Sequence, residues 1–390
     1  MLCRRDFVKL TALIPFINPV KAEPNASEGF IYETKDLNFD ISGVSDVSDA
    51  FNGLFKGGNK TIKISGPAVY LISKTIYLES GLSGLYVYCD DGVVFKLADN
   101  SNCIMIKTKK GNHSTIKWFG GVLDGNSQGQ APERFGPRNT AVDFSKGMVF
   151  YKVDDLEVAN VLVKEVRGHS INHWNCNVVR IHDVVIDAYI SMLNPKGGMR
   201  GDGITGSSNH IYIWNITGYS NDDMVAIEAG VPWAGNGSYK QSVKTAMISN
   251  VICRSKFCTQ CTSICYTWRG VAIYSLSNDH NIHFVSIDNV QGVFAEAGVA
   301  IRYYAEKNQS PSFVDVCIIK NAKIKPAFKQ SKLIHINDTL VRELFIEENV
   351  SSNRSHPQIT SENSKIDRLY LNGIESNSQA HFKKPAIIKN

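Results

Sequence analysis

Short aliphatic alternations recur along this chain, and a single Asn or Asp repeatedly breaks them. Met148-Val149-Phe150-Tyr151 is followed by Leu156-Glu157-Val158, and Val178-Val179-Arg180-Ile181 by Val184-Val185-Ile186. His210-Ile211-Tyr212-Ile213 and Ile282-His283-Phe284-Val285-Ser286-Ile287 continue the pattern. It runs on through Leu333-Ile334-His335-Ile336, Glu343-Leu344-Phe345-Ile346 and Arg368-Leu369-Tyr370-Leu371. Period-two alternation predicts strands, and the intervening Asn, Asp and Gly predict tight turns. The runs return about every 20–27 residues over most of the chain, the spacing of a solenoid. A jelly roll or propeller gives no reason for that period. The expected fold is therefore all-β: a single-stranded right-handed parallel β-helix. One helix is predicted, over Asp46 to Phe55, with Ser48 capping its start and Gly57-Gly58 ending it. It would cover the apolar end of the first rung, as solenoid ends require.

Charge excludes little except a nucleic-acid partner. The 390 residues carry a formal +5, but Arg4, Arg5, Lys9 and Lys21 stand against Asp6 alone in the first 22 residues. The remainder is near neutral, and no basic tract is interleaved with aromatics. Arg4-Arg5-Asp6-Phe7-Val8-Lys9 resembles the bacterial twin-arginine export pattern. The apolar run from Leu10 to Val20 is too short to span a bilayer, and Val20-Lys21-Ala22 offers a cleavage site. Residues 1–22 are thus expected to be a signal peptide and 23–390 one β-helix domain. Within that domain the cap lies at about 45–60, catalytic rungs at about 170–305 and C-terminal rungs run to 390. The mature chain is expected in the periplasm or secreted, with no stable membrane insertion; oligomeric state is not legible.

Three acids lie in two short segments, Gly201-Asp202-Gly203-Ile204 and Asn221-Asp222-Asp223-Met224. Their separation is about one solenoid turn, and stacked strands lie about 4.8 Å apart. One turn would therefore bring Asp202, Asp222 and Asp223 onto neighbouring rungs of one face. Each could singly be a turn aspartate. Together they suit glycoside hydrolysis, which needs one protonated carboxyl for the leaving oxygen and another to activate water. Like-charge repulsion from Asp202 and Asp223 would raise the pKa of Asp222.

From about Lys60 to Tyr304 the chain resembles the polygalacturonase-like enzymes of glycoside hydrolase family 28 and their pectate-lyase-fold relatives. Gly120-Gly121-Val122-Leu123-Asp124-Gly125 is similar to the family's Gly-x-Ile-Asp-Gly. His169-Ser170-Ile171-Asn172-His173-Trp174 resembles its rung ending in an aromatic and a His. Gly201-Asp202-Gly203-Ile204 resembles Asn-Thr-Asp-Gly, and Asn221-Asp222-Asp223 resembles Gly-Asp-Asp. The resemblance implies Asp222 as general acid, with Asp202 and Asp223 holding and deprotonating water. It also implies inversion, for which carboxyls roughly 6.5–9.5 Å apart are expected.

Elsewhere the family pattern changes. Trp268-Arg269-Gly270 stands for Gly-His-Gly, so Arg269 replaces a His. Arg302-Tyr303-Tyr304 stands for Arg-x-Lys, so Tyr304 replaces a Lys, and Arg200 replaces an Asn. Arg200, Arg269 and Arg302 together suggest an anionic, uronate-containing glycan, since Arg forks bind carboxylates. The alternative for Arg269 is an internal salt bridge, with Glu228 a candidate partner. His173, Trp174 and Trp233 are candidate sugar contacts, although rungs also stack aromatics internally. The implied partner is a polysaccharide, with no metal or cofactor. A lyase or epimerase using Arg269 or Tyr304 as base, and a non-catalytic glycan-binding β-helix, are the alternatives. Cys253, Cys258, Cys261 and Cys265 are expected to form one or two disulfides, while Cys89, Cys103, Cys176 and Cys317 are expected to pack within rungs.

Overall fold

In a computed structural model the described residues are 30–81, 84–131, 146–190, 201–230, 241–259, 261–275, 280–303, 313–347 and 359–376. The export segment, Arg200, Trp233 and Tyr304 lie outside them. The strands form three parallel ladders, one per face of a β-helix. The clearest ladder pairs Leu156 with Val179, Val179 with Ile211, Ile211 with Ala246 and Ala246 with Val285. It continues through Cys317, Leu344 and Leu369. All eight side chains are buried in one column. Each such aliphatic contributes about 1.5–3 kcal/mol of burial, and Cys317 simply fills an aliphatic slot in the stack. Cys176 is likewise buried, whereas Cys89 and Cys103 are only partly so. Parallel crossovers are right-handed almost without exception, and this chain is a right-handed parallel β-helix.

The Asn and Asp that break the alternations are the corners. Asp183, Asn215, Asn250, Asn289 and Asn321 all sit at positive φ, between 53° and 57°, a region Asn and Asp tolerate better than other side-chain-bearing residues. They also stack as a hydrogen-bonded ladder. Asn215 Nδ2 donates to Asp183 Oδ1 at 2.8 Å, Asn250 Nδ2 to Asn215 Oδ1 at 2.6 Å, and Asn289 Nδ2 to Asn250 Oδ1 at 3.0 Å.

The rungs are less regular than the sequence period suggests. Ile204 pairs with Val225, a compact turn, but Val225 pairs with Val271 and Ile211 with Ala246. Insertions at the corners absorb the difference and leave the ladders in register. The helix spans Ser48–Leu54. Ser48 is its first residue rather than its cap; its hydroxyl donates to Asp46 Oδ1 at 2.5 Å and accepts the Ser73 amide at 2.9 Å. Phe51 and Phe55 are fully buried. Phe51 lies 5.2 Å from the Phe95 ring and Phe55 6.0 Å from Trp118, which closes the apolar end. At the other end Lys365–Leu371 pairs antiparallel with Ile374–Ser376, which covers the last parallel edge.

Candidate active site

Four successive turns enter the same face of the helix, and they carry the site. Asp202 precedes the Ile204–Tyr219 strand. Asp222 lies in the next turn and Asp223 opens the Asp223–Ala229 strand. Arg269 is near the start of Thr267–Ser275, and Glu296 lies within Ile282–Tyr303. The Gly-Asp-Gly segment is shaped by close approach. Gly201 has φ +120°, and a Cβ on Gly203 would lie 2.5 Å from the Met224 carbonyl of the next rung. Glycine there lets the two turns stack. The Gly203 amide donates to Asp223 O at 2.8 Å, and the Asp223 amide faces Asp202 Oδ1 at 3.4 Å.

One carboxylate oxygen from each of Asp202, Asp222 and Asp223 lies within 4.8 Å of the others. The sequence expectation of a single solenoid turn between them is therefore met. These are single oxygens, so their closeness does not give the carboxyl-to-carboxyl spacing on which inversion depends. Side-chain exposure is 10% for Asp202, 17% for Asp222 and 3% for Asp223, so Asp222 is the most open to solvent.

Burial is the first cause that raises all three pKa values. For Asp202 the charges of Asp223, Asp222 and Glu228 push further, and the carboxyl titrates well above the ordinary range. Asp223 is also raised well above it, with Arg269 opposing. Asp222 is raised by burial against the charges of Arg269 and Arg302. Like-charge repulsion thus falls on Asp202 and Asp223 rather than on Asp222. Glu228, one strand position-pair away, is pushed up to about 7, mainly by burial against the charge of Lys146 and the Thr205 hydrogen bond.

Arg269 is an internal cation. Its Nη2 donates to Asp222 Oδ1 at 3.1 Å, and its Nε lies 3.0 Å from Asp223 Oδ1 and 3.2 Å from Glu296 Oε2. These three acids are its ion-pair partners among the described residues, and Glu228 is not one of them. Its guanidinium also stands 5.5 Å from the Tyr274 ring centroid, and the Tyr274 hydroxyl donates to Asp223 Oδ2 at 2.7 Å. Arg302 pairs with Glu296 Oε1 and donates to His335 Nδ1 at 2.8 Å. The protein's own carboxylates hold both arginines.

His173 and Trp174 are corrected. His173 is fully buried beneath Gly206, and its Nδ1 meets Ser208 Oγ at 3.0 Å; burial holds its pKa down at about 3. Trp174 is 8% exposed and packs with Val149, Ile104 and Tyr151. Both belong to the stack rather than to a sugar subsite. His169 is the histidine that reaches the acids. Asn172 Nδ2 donates to its Nδ1 at 2.9 Å, which leaves Nε2–H facing Asp202 Oδ2 at 3.8 Å. Burial keeps this ring neutral.

His169, Tyr274, Glu296 and His335 were not legible as site residues. A signal existed: Val-Ala-Ile recurs at Val225-Ala226-Ile227, Val271-Ala272-Ile273 and Val299-Ala300-Ile301, and these triplets are register partners. Aligning them stacks Asp223, Arg269 and Ala297 in one column, and Glu228, Tyr274 and Arg302 in another.

The three aspartates are near enough to share a cation, but Arg269 already supplies positive charge to two of them. Cys258, Cys261 and Cys265 also cluster within 4.8 Å. Cys258 and Cys261 form a disulfide, so they do not offer thiolates to a metal, and Cys253 and Cys265 are free thiols. This pair lies on an antiparallel hairpin, Lys256–Cys258 with Ser263–Cys265, in the turn that leads to Arg269.

The parallel β-helix thus brings three carboxylates, two of them buried, to one corner. The chain belongs to glycosyl hydrolases family 28, whose model matches residues 59–306. It is a glycan hydrolase by that membership, and a polysaccharide is its substrate. Among solved structures, an exopolygalacturonase of Thermotoga maritima is similar at 13% identity and TM-score 0.49, over 89% of this chain and 93% of that one. A family 28 exopolygalacturonase of Yersinia enterocolitica has 12% identity and TM-score 0.49, over 88% and 78%. A polygalacturonase of Erwinia carotovora has 12% identity and TM-score 0.43, over 85% and 95%. At such scores these likenesses carry no argument, and the fold rests on the strand register. No curated protein matches the sequence significantly.

Proposed function

We propose that this chain hydrolyses a glycosidic bond with inversion, Asp222 acting as general acid while Asp202 and Asp223 hold and deprotonate the attacking water. The observation that carries this reading is the convergence of the three carboxylates, with Asp222 the most exposed. Clustered carboxyls do not all ionise together, so the set keeps a proton, and Asp222, the member most open to solvent, is placed to pass it to the leaving oxygen. The 4.8 Å limit applies to one oxygen of each carboxyl. It fits one water, because a water donating to two carboxylates spans about 4.5 Å. Two contacts favour the water. Tyr274 fixes Asp223 through Oδ2, and Asp223 Oδ1, 3.0 Å from Arg269 Nε, is left to accept from a water. The lyase alternative needs a basic residue at this corner. Arg269, bound to three acids, is held as a cation, and Tyr304, the other candidate base, lies outside the described residues.

Arg269 and Arg302, on which the acidic substrate expected from sequence rested, are ion-paired internally. Export through the Arg4-Arg5 signal remains part of the proposal. Among the described residues no helix is long and apolar enough to cross a membrane. Changing Arg4 and Arg5 to Lys should leave precursor in the cytoplasm, and normal export of that variant would remove the argument.

The test is a panel of acidic and neutral polysaccharides, with reducing ends and ultraviolet absorbance read in parallel and anomeric configuration read by NMR in the first minutes. Hydrolysis gives new reducing ends without unsaturated product. An ultraviolet-absorbing uronate would make the chain a lyase, and a retained anomer would make one aspartate a nucleophile.

A further inference from the structure

We propose that Glu296 is a specificity-determining residue: a built-in carboxylate that occupies the Arg269–Arg302 guanidinium pair, so that the sugar beside the catalytic acids is uncharged rather than a uronate. This rests on the glycan-hydrolase reading of the same corner.

Glu296 reaches the site through an irregularity in its strand. Thr267 pairs with Phe294, but Arg269 pairs with Ala297, so the later strand holds one extra residue at this corner. Such bulges re-aim side chains, and here the extra residue turns a carboxylate toward both arginines. Oε1 pairs with Arg302, and Oε2 lies 3.2 Å from Arg269 Nε while also accepting from the Trp268 indole N–H. Each carboxylate oxygen thus faces one guanidinium, the bidentate arrangement that a substrate carboxylate would otherwise take.

The surrounding groups close the alternatives. His335 Nδ1 accepts from Arg302, so it cannot also donate to Glu296 Oε1, although it lies 3.2 Å away. Burial and the Arg302 charge hold that ring down at about 4, which leaves it neutral near pH 7. Asp222, Asp223 and Glu296 pair with the two guanidiniums and Asp202 lies beside them, while the charge of Lys146 acts on Glu228. A uronate entering here must displace Glu296 or sit against like charge, a repulsive element that discriminates as effectively as an attractive one.

The probes are an oligogalacturonate and the same oligomer with its carboxyls reduced, titrated against the full chain. Binding is measured directly, so the result stands whether or not either oligomer is cleaved. The wild type should bind the reduced oligomer at least as well as the acid, and a tenfold preference for the acid would overturn the proposal. Glu296→Gln should raise the acid-to-reduced affinity ratio tenfold or more, because the arginines then lack their carboxylate. Glu296→Ala serves the same comparison if the Gln variant does not fold. A folded variant with an unchanged ratio also overturns it. Polymer cleavage by a wild type that binds the acid oligomer tenfold more tightly would sink this inference and leave the hydrolase reading intact.

Discussion

Arg269 and Asp223 are register partners on neighbouring rungs, and the Arg269 Nε stands 3.0 Å from Asp223 Oδ1 while its Nη2 reaches Asp222. One guanidinium therefore bridges the general acid and a water-holding carboxylate of the proposed mechanism. Its charge pulls against the burial that raises both pKa values. Removing it must release the carboxyls upward. In Arg269→Gln the basic limb of kcat, where the acid loses its proton, should move to higher pH. The fold should also weaken by about 3–5 kcal/mol where the carboxylates are ionised, and by less as falling pH protonates them. pH–rate profiles with urea melts at two pH values check both, and an unmoved basic limb would remove Asp222 from the acid role.

Glu228 gives a pH signature of its own. Its carboxyl titrates at about 7 in the folded chain against an ordinary 4.5. The folded state keeps this proton after the unfolded chain has lost it, so stability falls as pH rises from 4.5 to about 7 and is level above that. Glu228→Gln removes the titration. Its stability relative to wild type should therefore climb across the same window, by about 3 kcal/mol in total. Urea midpoints at several pH values measure the slope, and a flat difference would mean Glu228 is not held protonated.

The corner ladder makes a prediction about the fold alone. Asn250 donates to Asn215, accepts from Asn289 and holds φ at 53°. Asn250→Ala loses both bonds in a left-handed conformation, which should cost about 2–3 kcal/mol. Asn250→Gly keeps the conformation and should cost less. Thermal melts that rank Ala at or above Gly would contradict the ladder's role.

The ladder is also why so much of the fold was legible. Left-handed corners demand Asn, Asp or Gly, and rungs demand alternation, so both requirements are written locally in the chain. The acid cluster was legible for the same reason: Ile204 and Val225 bound the compact turn between Asp202 and Asp223, and little inserted chain obscures it. Arg269 and Glu296 were harder. Val225 pairs with Val271 across a long insertion, and the extra residue before Ala297 breaks simple counting. Direction within a rung was not legible at all. His173 and Trp174 sit in a segment that looks like a family subsite, yet close stacking against Gly206 and Val149 turns them into packing. The arginines differ: guanidinium chemistry predicts a carboxylate partner, but not whether it belongs to the substrate or to the protein.

The most direct test of the hydrolytic account is Asp222→Asn on whichever panel polymer the wild type cleaves. Reducing-end release is followed beside a substrate whose leaving group needs no protonation. Turnover on the polymer should fall by about two to four orders of magnitude, a general-acid loss, with polymer binding kept and most of the rate retained on the activated substrate. Polymer turnover within a few fold of wild type, in a folded variant, would contradict the account.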